Sequence, residues 1–509
     1  MTERAESTPA RLLLLPLGFA AALGGYAALP SIRANPVLLW SVLGAAGALV
    51  AWIGVLWVSV VKGRRLFLHV EIRKQHWIQA CIHTSIYLYW GLYWDEVYRF
   101  AYLILAQLLF AYAFDILLSW SRRESYTLGF GPFPVVLSAN LFLWFKPDWF
   151  YLQFVTLAAG FAVKELVRWR KDGRRTHIFN PSSFPLAVAS LVLILGHWTS
   201  TSWVLEISFS QFWPPHMYLF LFLVALPVQF FFGVTSMTLS AVLTAWAFGV
   251  AYLHVTGTYF VYDSYIPIAV FLAMLLLFTD PSTSPRTELG RIIFGVLYGA
   301  SFIALEALGT AFYSKLLAVP LLNLSVRWID RAAQSKLLRR LDPARLGPAV
   351  LGRRRNVAYM GVWACVFALM SSVQAVGDDF PGQWLPFWEN ACQEGKARAC
   401  VRLADMENEY CQGGSGWACN ELALSLAKVS PPLAQSLMAR GCRLGFQPAC
   451  SNAEGLASGA ASPAHAPPTL ADYPIILVGS KGLKLTRASP AELSERACAQ
   501  GFEGACARR

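Results

Sequence analysis

The chain has 509 residues, of which 56% are hydrophobic and only 14% are charged, and its mean hydropathy is +0.46. Soluble domains carry about a quarter charged residues. The 33 Phe, 19 Trp and 19 Tyr residues are typical of proteins that meet a membrane interface. This composition excludes a soluble enzyme, a disordered scaffold and a coiled coil, and it predicts a polytopic membrane protein.

The net charge of +12 is distributed unevenly. Residues 377–509 contain 12 basic and 13 acidic side chains, so the whole basic excess lies in residues 1–376. Loops retained in the cytoplasm explain such an excess, and we expect no nucleic-acid partner. We predict two domains: a transmembrane helical domain at 1–376 and an extracytoplasmic cysteine-rich helical repeat domain at 377–509.

Apolar runs of roughly 17–25 residues, long enough to cross a bilayer, recur through the first domain. They lie at 12–29, 37–61, 76–94, 99–120, 131–147, 149–169, 184–202, 215–234, 236–255, 264–279, 292–312 and 357–375, with a shorter return at 314–328. The first run lacks the cleavage site of a signal peptide and is followed by further spans. The predicted fold class is therefore an all-α transmembrane bundle of about 12–13 spans with a small disulfide-stapled α-helical repeat domain.

Basic loops between these runs fall on one side if the N-terminus is cytoplasmic, which is the usual placement of Lys and Arg. The placement of the basic loops favours thirteen crossings, and an odd number of crossings puts the C-terminal domain on the outer side of the membrane. We expect a multi-pass protein of a bacterial inner membrane with a periplasmic C-terminal domain.

Four cysteine pairs share the pattern C-x-x-G-x-x-x-A-C: Cys392 and Cys400, Cys411 and Cys419, Cys442 and Cys450, Cys498 and Cys506. Glycine can end a helix in the left-handed conformation, and alanine lets the next helix approach closely. Each pair is predicted to form a disulfide between two antiparallel helices, which requires an oxidising compartment. A metal site is the alternative, but the chain lacks C-x-x-C and interleaved histidines, so we expect no bound metal.

The cysteine motif resembles the cysteine-rich, tetratricopeptide-like helical repeats of secreted bacterial proteins. That resemblance implies a solenoid that serves protein contacts or stability. Membrane or periplasmic proteins would then be the partners of this domain.

Two nearly identical hexapeptides stand at cytoplasmic ends of predicted spans: Asn180-Pro-Ser-Ser-Phe-Pro185 and Asp280-Pro-Ser-Thr-Ser-Pro285. Asn or Asp followed by Pro is a strong helix start, and free amides at a helix start attract anions. A cytoplasm-facing anion pocket is one interpretation, and two ordinary helix caps are the other. The predicted ligand-binding residues are Asn180, Ser182, Ser183, Asp280, Ser282, Thr283, Arg174, Arg175, Arg286 and Arg291, with His177 and Arg168 at the same rim.

The stretches Thr176-His-Ile-Phe-Asn-Pro-Ser-Ser and Leu277-Phe-Thr-Asp-Pro-Ser-Thr-Ser-Pro resemble the paired NP and TDP motifs of the RnfD/NqrB membrane subunits. The chain is similar, over about 60–310, to stand-alone RnfD-like membrane proteins. This resemblance implies an internally repeated helical bundle, a role in membrane electron transfer, and FMN or a quinone as cofactor.

Those subunits attach FMN to the threonine of a Ser-Gly-Ala-Thr stretch between the two motifs. Here the interval offers only Phe232-Gly-Val-Thr235-Ser and His254-Val-Thr256-Gly-Thr258. Neither matches, so we expect non-covalent rather than covalent binding.

Four charged residues fall within predicted spans: Asp115, Lys164, Glu165 and Glu306. Such groups face the bundle interior, where they form structural ion pairs or line an ion or proton path. His69, His76 and His83 recur every seven residues near one face of a predicted helix, whereas His197, His216 and His254 lie toward the outer ends of spans.

Three functions remain open from the sequence. The first is a component of a membrane electron-transfer complex, as a redox or non-catalytic subunit. The second is a transporter or channel for a small anionic solute or ion, since internal repeats with proline-interrupted helices are also typical of transporters. The third is a structural membrane anchor for the outer repeats.

Overall fold

The computed structural model describes residues 9–171, 173–345, 352–458, 464–478 and 488–506. The chain divides into two compact units: residues Met1–Ala245 with Ile268–Leu369, and residues Trp246–Pro267 with Met370–Arg509. Helices dominate both units, and the all-α fold class is confirmed.

The described helices of the first unit range in length from four to 26 residues. They are α1 Pro9–Leu12, α2 Leu14–Gly25, α3 Pro30–Arg33, α4 Pro36–Val61, α5 Lys74–Gly91, α6 Glu96–Arg99, α7 Ala101–Arg122, α8 Pro132–Asn140, α9 Tyr151–Leu166, α10 Ser183–Leu195, α11 Val204–Ser210, α12 Met217–Phe232, α13 Thr235–Thr256, α14 Ile268–Leu272, α15 Glu288–Ala307, α16 Ser314–Ala333 and α17 Gly352–Ser372. Helices α13 and α17 continue into residues of the second unit. A π-helical turn, Ala273–Leu277, extends α14.

Five of the described helices are long and apolar enough to cross a membrane: Ala10–Ala28, Pro36–Val61, Ala101–Arg122, Thr235–Thr256 and Glu288–Ala307. Three shorter apolar helices, Ser183–Leu195, Met217–Phe232 and Ile268–Leu277, coincide with further predicted spans. The chain is a multi-pass membrane protein, and the total of 12–13 spans stays a prediction.

The predicted run 131–147 contains a helix of only nine residues, Pro132–Asn140, followed by buried irregular backbone. Side chains satisfy this backbone: Gln211 donates to the Leu141 carbonyl at 2.6 Å, and Gln153 accepts from the Phe145 amide at 3.1 Å. Non-helical backbone at membrane depth is tolerated where protein groups complete its hydrogen bonds. Two buried glutamine side chains therefore complete hydrogen bonds of this non-helical segment, and beside it Asn140 exchanges side-chain amide hydrogen bonds with Gln107 on α7.

Two small sheets interrupt the helices of the first unit. Strand β1, Phe67–Val70, pairs in parallel with β2, Ser125–Leu128, with His69 opposite Thr127. Strands β3, Arg168–Lys171, and β4, Arg174–His177, form an antiparallel hairpin with Trp169 opposite Thr176. His69 therefore belongs to a strand, and only His76 and His83 share a face of helix α5.

The second unit is built from α18 Leu385–Gln393, α19 Ala397–Gln412, α20 Gly416–Leu426, α21 Pro431–Arg443, α22 Gln447–Ser458, α23 Tyr473–Val478, α24 Pro490–Ala499 and α25 Glu503–Cys506. The four predicted disulfides are confirmed, and each one joins two successive helices. Trp388, Trp417, Tyr410 and Phe502 are among the side chains of its core.

The four disulfide turns share one backbone geometry. The motif glycines, Gly395, Gly414, Gly445 and Gly501, all have φ between 81° and 103°. In each turn the following amide bonds back five residues, as Phe446 does to the Gly441 carbonyl at 3.1 Å. This is the Schellman arrangement that ends a helix. The motif alanines, Ala399, Ala418, Ala449 and Ala505, are at most 1% exposed, so both fixed positions have the predicted structural role.

Candidate functional site

The first hexapeptide caps helix α10. The Asn180 side-chain oxygen accepts hydrogen bonds from the amides of Ser182, at 2.9 Å, and Ser183, at 3.1 Å. Its carbonyl accepts from the Phe184 amide at 3.2 Å. Asn180 therefore satisfies amides that a helix start leaves without partners, as predicted from the sequence.

The second hexapeptide does not start a helix at Asp280. The Asp280 carboxylate accepts from the Ser282 amide at 2.9 Å, and the chain forms an isolated turn there. Helix α15 begins at Glu288, with the Thr287 side chain as its cap. The physical reason lies on α16, because the Asp330 carboxylate accepts from the amides of Arg286 and Thr287 and moves the helix start past Pro285. The predicted second N-cap at Asp280 is thus corrected to a turn.

Asn323 of helix α16 joins the two hexapeptides. Its side-chain oxygen accepts from the Asn180 amide at 3.2 Å, and its side-chain nitrogen donates to the Thr283 carbonyl at 3.1 Å. The Asn180 side chain in turn donates to the Leu277 carbonyl at 2.9 Å. Asn323 is fully buried, so one side chain holds together two motifs that are about a hundred residues apart in sequence.

Both hexapeptides reach the wall of one cavity of about 390 Å³ in the first unit. Asn180, Ser182, Asp280 and Ser282 line it, while Ser183 and Thr283 lie buried just behind. The cavity is also lined by Asp115, Lys164, Tyr126, His177 and the α5 side chains His76, Gln79 and His83. Its volume falls within the range of about 300–1,000 Å³ that small-molecule sites occupy.

The charges on the cavity wall are paired. Arg73 contacts Glu71 at 3.1 Å, Lys164 lies 3.9 Å from Asp115, and Arg123 and Arg168 both bind Glu165 at 2.7 Å. Four basic side chains and three acidic ones, Glu71, Asp115 and Asp280, line the cavity, whereas Glu165 is not among the lining residues. Lys164 and Glu165 therefore have different partners, and each of the four basic side chains forms an ion pair.

Two contacts on this wall involve proton donors. The Asp280 carboxylate lies 3.4 Å from Nε2 of His177. Burial by itself would raise the pKa of Asp280, but the hydrogen bond and charge of His177 and the Ser282 amide outweigh it and hold this pKa below its ordinary value. Tyr126 donates to Asp115 at 3.2 Å, and burial followed by the Asp115 charge raises the pKa of Tyr126 far above its usual range. Asp280 is thus a carboxylate at neutral pH, and Tyr126 stays protonated.

The four predicted arginines lie elsewhere. Arg175 and Arg286 are exposed and do not line the cavity. Arg291 donates to the carbonyls of Pro285 and Gly233 and so fixes loops. The side chain of Arg174 lies outside the described residues. The cavity cations are instead Arg73, Arg123 and Lys164, together with Arg168, which was predicted at this rim. They come from three different stretches of the chain.

Glu306 is also absent from the described cavity lining. It interacts electrostatically with Lys315 of α16, whose ammonium donates to the hydroxyl of Ser208 at 3.2 Å. Lys315 is only 2% exposed. The sequence does not predict this buried lysine, Asn323 or Asp330 as site residues, because their partners are distant in sequence and the local pattern does not indicate them.

The threonines that a covalently attached flavin would need do not fit. Thr235 is fully buried at the start of α13, and Thr256 bonds to the Tyr252 carbonyl at 2.8 Å. Of the described residues that line the cavity, none is Thr235 or Thr256. Neither Thr235 nor Thr256 is therefore placed to attach a flavin in this cavity.

Residues 217–339 match the NQR2, RnfD, RnfE family. The predicted resemblance to RnfD/NqrB membrane subunits is confirmed, and the matched segment contains Asp280 and Asn323. No curated protein and no solved structure shows significant similarity to the chain.

Proposed function

We propose that the first unit is a membrane subunit of an electron-transfer complex and that its cavity binds FMN or a quinone without a covalent link. One observation carries this proposal: the two matched hexapeptides meet through Asn323 at the wall of a single polar cavity. The family match covers one of these hexapeptides and Asn323.

The lining supports a ring ligand with polar substituents. Leu276, Leu277, Pro134 and Val135 supply apolar surface, while the hydroxyls of Ser138 and Ser182 bond to each other at 2.7 Å on the same wall. A few polar groups among apolar ones are typical of sites that orient a small molecule. Because each basic side chain of the wall already forms an ion pair, an uncharged quinone ring needs no further neutralisation, whereas the FMN phosphate would have to replace an acidic partner in one of these pairs.

We also propose that the chain lies in a bacterial inner membrane with a cytoplasmic N-terminus and a periplasmic C-terminal unit. Support comes from the basic loops and from the four disulfides, which form and persist in oxidising compartments. In this arrangement the stapled helices are available to a periplasmic or membrane partner.

The test is the cofactor content of detergent-purified protein, measured by absorption spectroscopy and by quinone extraction. Asn180→Ala and Asp280→Ala are expected to lower the bound cofactor several-fold. Asn35→Ala is the matched control, because Asn35 also caps a helix, by accepting from the Val37 and Leu38 amides, but does not line the cavity. Unchanged cofactor content in both cavity variants would refute the proposal.

Transport of a small anion or ion is the second candidate. The observation that favours it is the pair of Lys164 and Asp115 on the cavity wall, because charged groups at membrane depth mark ion paths as well as structural pairs. Solute uptake into vesicles that is lost in Asp115→Asn, by protein without flavin or quinone, would establish transport in place of electron transfer.

A further inference from the structure

Helix α5 presents three polar side chains to the cavity: His76, Gln79 and His83. Their spacing of three and four residues places them on one face of the helix. Exposure falls along this face, from exposed Arg73 through half-buried His76 and Gln79 to His83, which is only 2% exposed. The cavity therefore leads along α5 from an exposed end to a buried histidine.

Both ring nitrogens of His83 are buried without a hydrogen-bond partner. The backbone carbonyl of Gln79, one turn earlier on α5, is an acceptor near the ring. A bond to that backbone would use one nitrogen and leave the other without a partner. Buried polar groups of folded proteins nearly always have partners, so an unpartnered imidazole on a cavity wall points to a ligand.

The surroundings restrict what this ligand presents to His83. A neutral imidazole carries one N–H donor and one acceptor nitrogen. The acidic side chains of the cavity already contact cations or His177, as the pairs of Asp115 with Lys164 and of Asp280 with His177 show. A ring carbonyl oxygen can accept the imidazole N–H without bringing a new charge into the cavity.

We infer that His83 is a ligand-contacting residue that donates a hydrogen bond to a ring carbonyl of the molecule bound in this cavity. The inference rests on the proposed function, since both flavins and quinones carry ring carbonyls. It adds a residue from α5, far in sequence from the two hexapeptides, to the binding wall. His83 selects for the carbonyl-bearing ring, while the Asn180 and Asp280 turns form another part of the lining.

The test compares two probes, FMN and a short-chain ubiquinone analogue, on detergent-purified full-length protein. Dissociation constants are measured by quenching of tryptophan fluorescence. Because the substitution removes one hydrogen bond, His83→Leu is expected to weaken binding of the probe that the wild type binds by about threefold to tenfold. His83→Gln, which keeps an N–H donor, should weaken it less.

Gln229→Leu is the matched control. Gln229 is fully buried on α12, and both of its side-chain polar atoms lack hydrogen-bond partners, yet it does not line the cavity. Replacing it removes the same kind of unpartnered polar group. We expect wild-type affinity for both probes in this variant.

Two further readouts separate ligand contact from a structural role. In infrared difference spectra, the carbonyl stretch of the bound probe should lie at lower frequency in the wild type than in His83→Leu. Without probe, His83→Leu should unfold at the wild-type temperature or above it, because the variant buries no unpartnered polar group. A lower unfolding temperature with an unshifted carbonyl band would assign His83 a purely structural role and overturn the inference.

The outcomes distinguish the two proposals. If the wild type binds neither probe, the proposed function fails and the inference fails with it. If the wild type binds a probe and His83→Leu binds it equally well, only the inference fails. Should His83→Leu not yield folded protein, an unchanged carbonyl frequency in His83→Gln, whose amide is a different donor, would overturn the inference instead.

Discussion

Asn323→Ala is expected to separate the two hexapeptides and to lower both stability and cofactor binding. The substitution leaves two groups without partners, the Asn180 amide and the Thr283 carbonyl, which now lie 3.2 Å and 3.1 Å from the Asn323 side chain. Each buried group without a partner costs about 1–3 kcal/mol. The expected destabilisation is therefore about 2–6 kcal/mol, a large part of the roughly 5–15 kcal/mol by which domains are stable.

The assay for this prediction is heating of detergent-purified protein followed by size-exclusion chromatography, with cofactor content measured on the unheated sample. The matched control is Asn140→Ala, because Asn140 is equally buried and exchanges amide bonds with Gln107 but does not line the cavity. We expect the two variants to lose thermal stability to a similar extent, whereas only Asn323→Ala also loses cofactor. If Asn323→Ala has the same midpoint of thermal unfolding and the same cofactor content as the wild type, Asn323 does not join the two hexapeptides.

Three further predictions concern the second unit. Burial, then the charges of Glu421 and Glu389, raise the pKa of Glu407 to about 9, so its folded form holds a proton that the unfolded chain releases from about pH 4.5 upward. Stability should fall as pH rises toward 9, and Glu407→Gln should stabilise the unit at pH 8 but not at pH 4; pH-independent stability in the wild type would contradict this. Gly445 has φ 91°, so Gly445→Ala should destabilise the second unit by about 1–2 kcal/mol and Gly445→Asn should destabilise it by less, as measured by thermal unfolding. Equal losses of stability in the two variants would argue that this position does not require the left-handed conformation. Reduction of the four disulfides should lower the unfolding temperature of this unit, because each disulfide that closes a small loop contributes about 2–3 kcal/mol. An unchanged melting curve after complete reduction would show that the helices are stable without the disulfides.

The local features of this protein follow from the sequence alone. Membrane character follows from the composition. The four cysteine pairs and the helix cap at Asn180 join groups within eight residues of one another, so spacing predicts them. The left-handed Gly445 and the buried Ala449 belong to the same class, because a helix end and a close helix contact leave their marks within one short motif.

Only the tertiary structure decided how the binding wall is assembled. Asn323 contacts Asn180 across 143 residues of sequence, and Asp330 moves a helix start from Asp280 to Thr287. The cavity cations are Arg73, Arg123, Lys164 and Arg168 rather than the arginines beside the hexapeptides. A single buried polar residue carries no local pattern, and its partners are set by which helices pack together. The site therefore depends on hydrogen bonds between helices, which the sequence does not reveal. The features that the sequence did predict depend on hydrogen bonds within single turns.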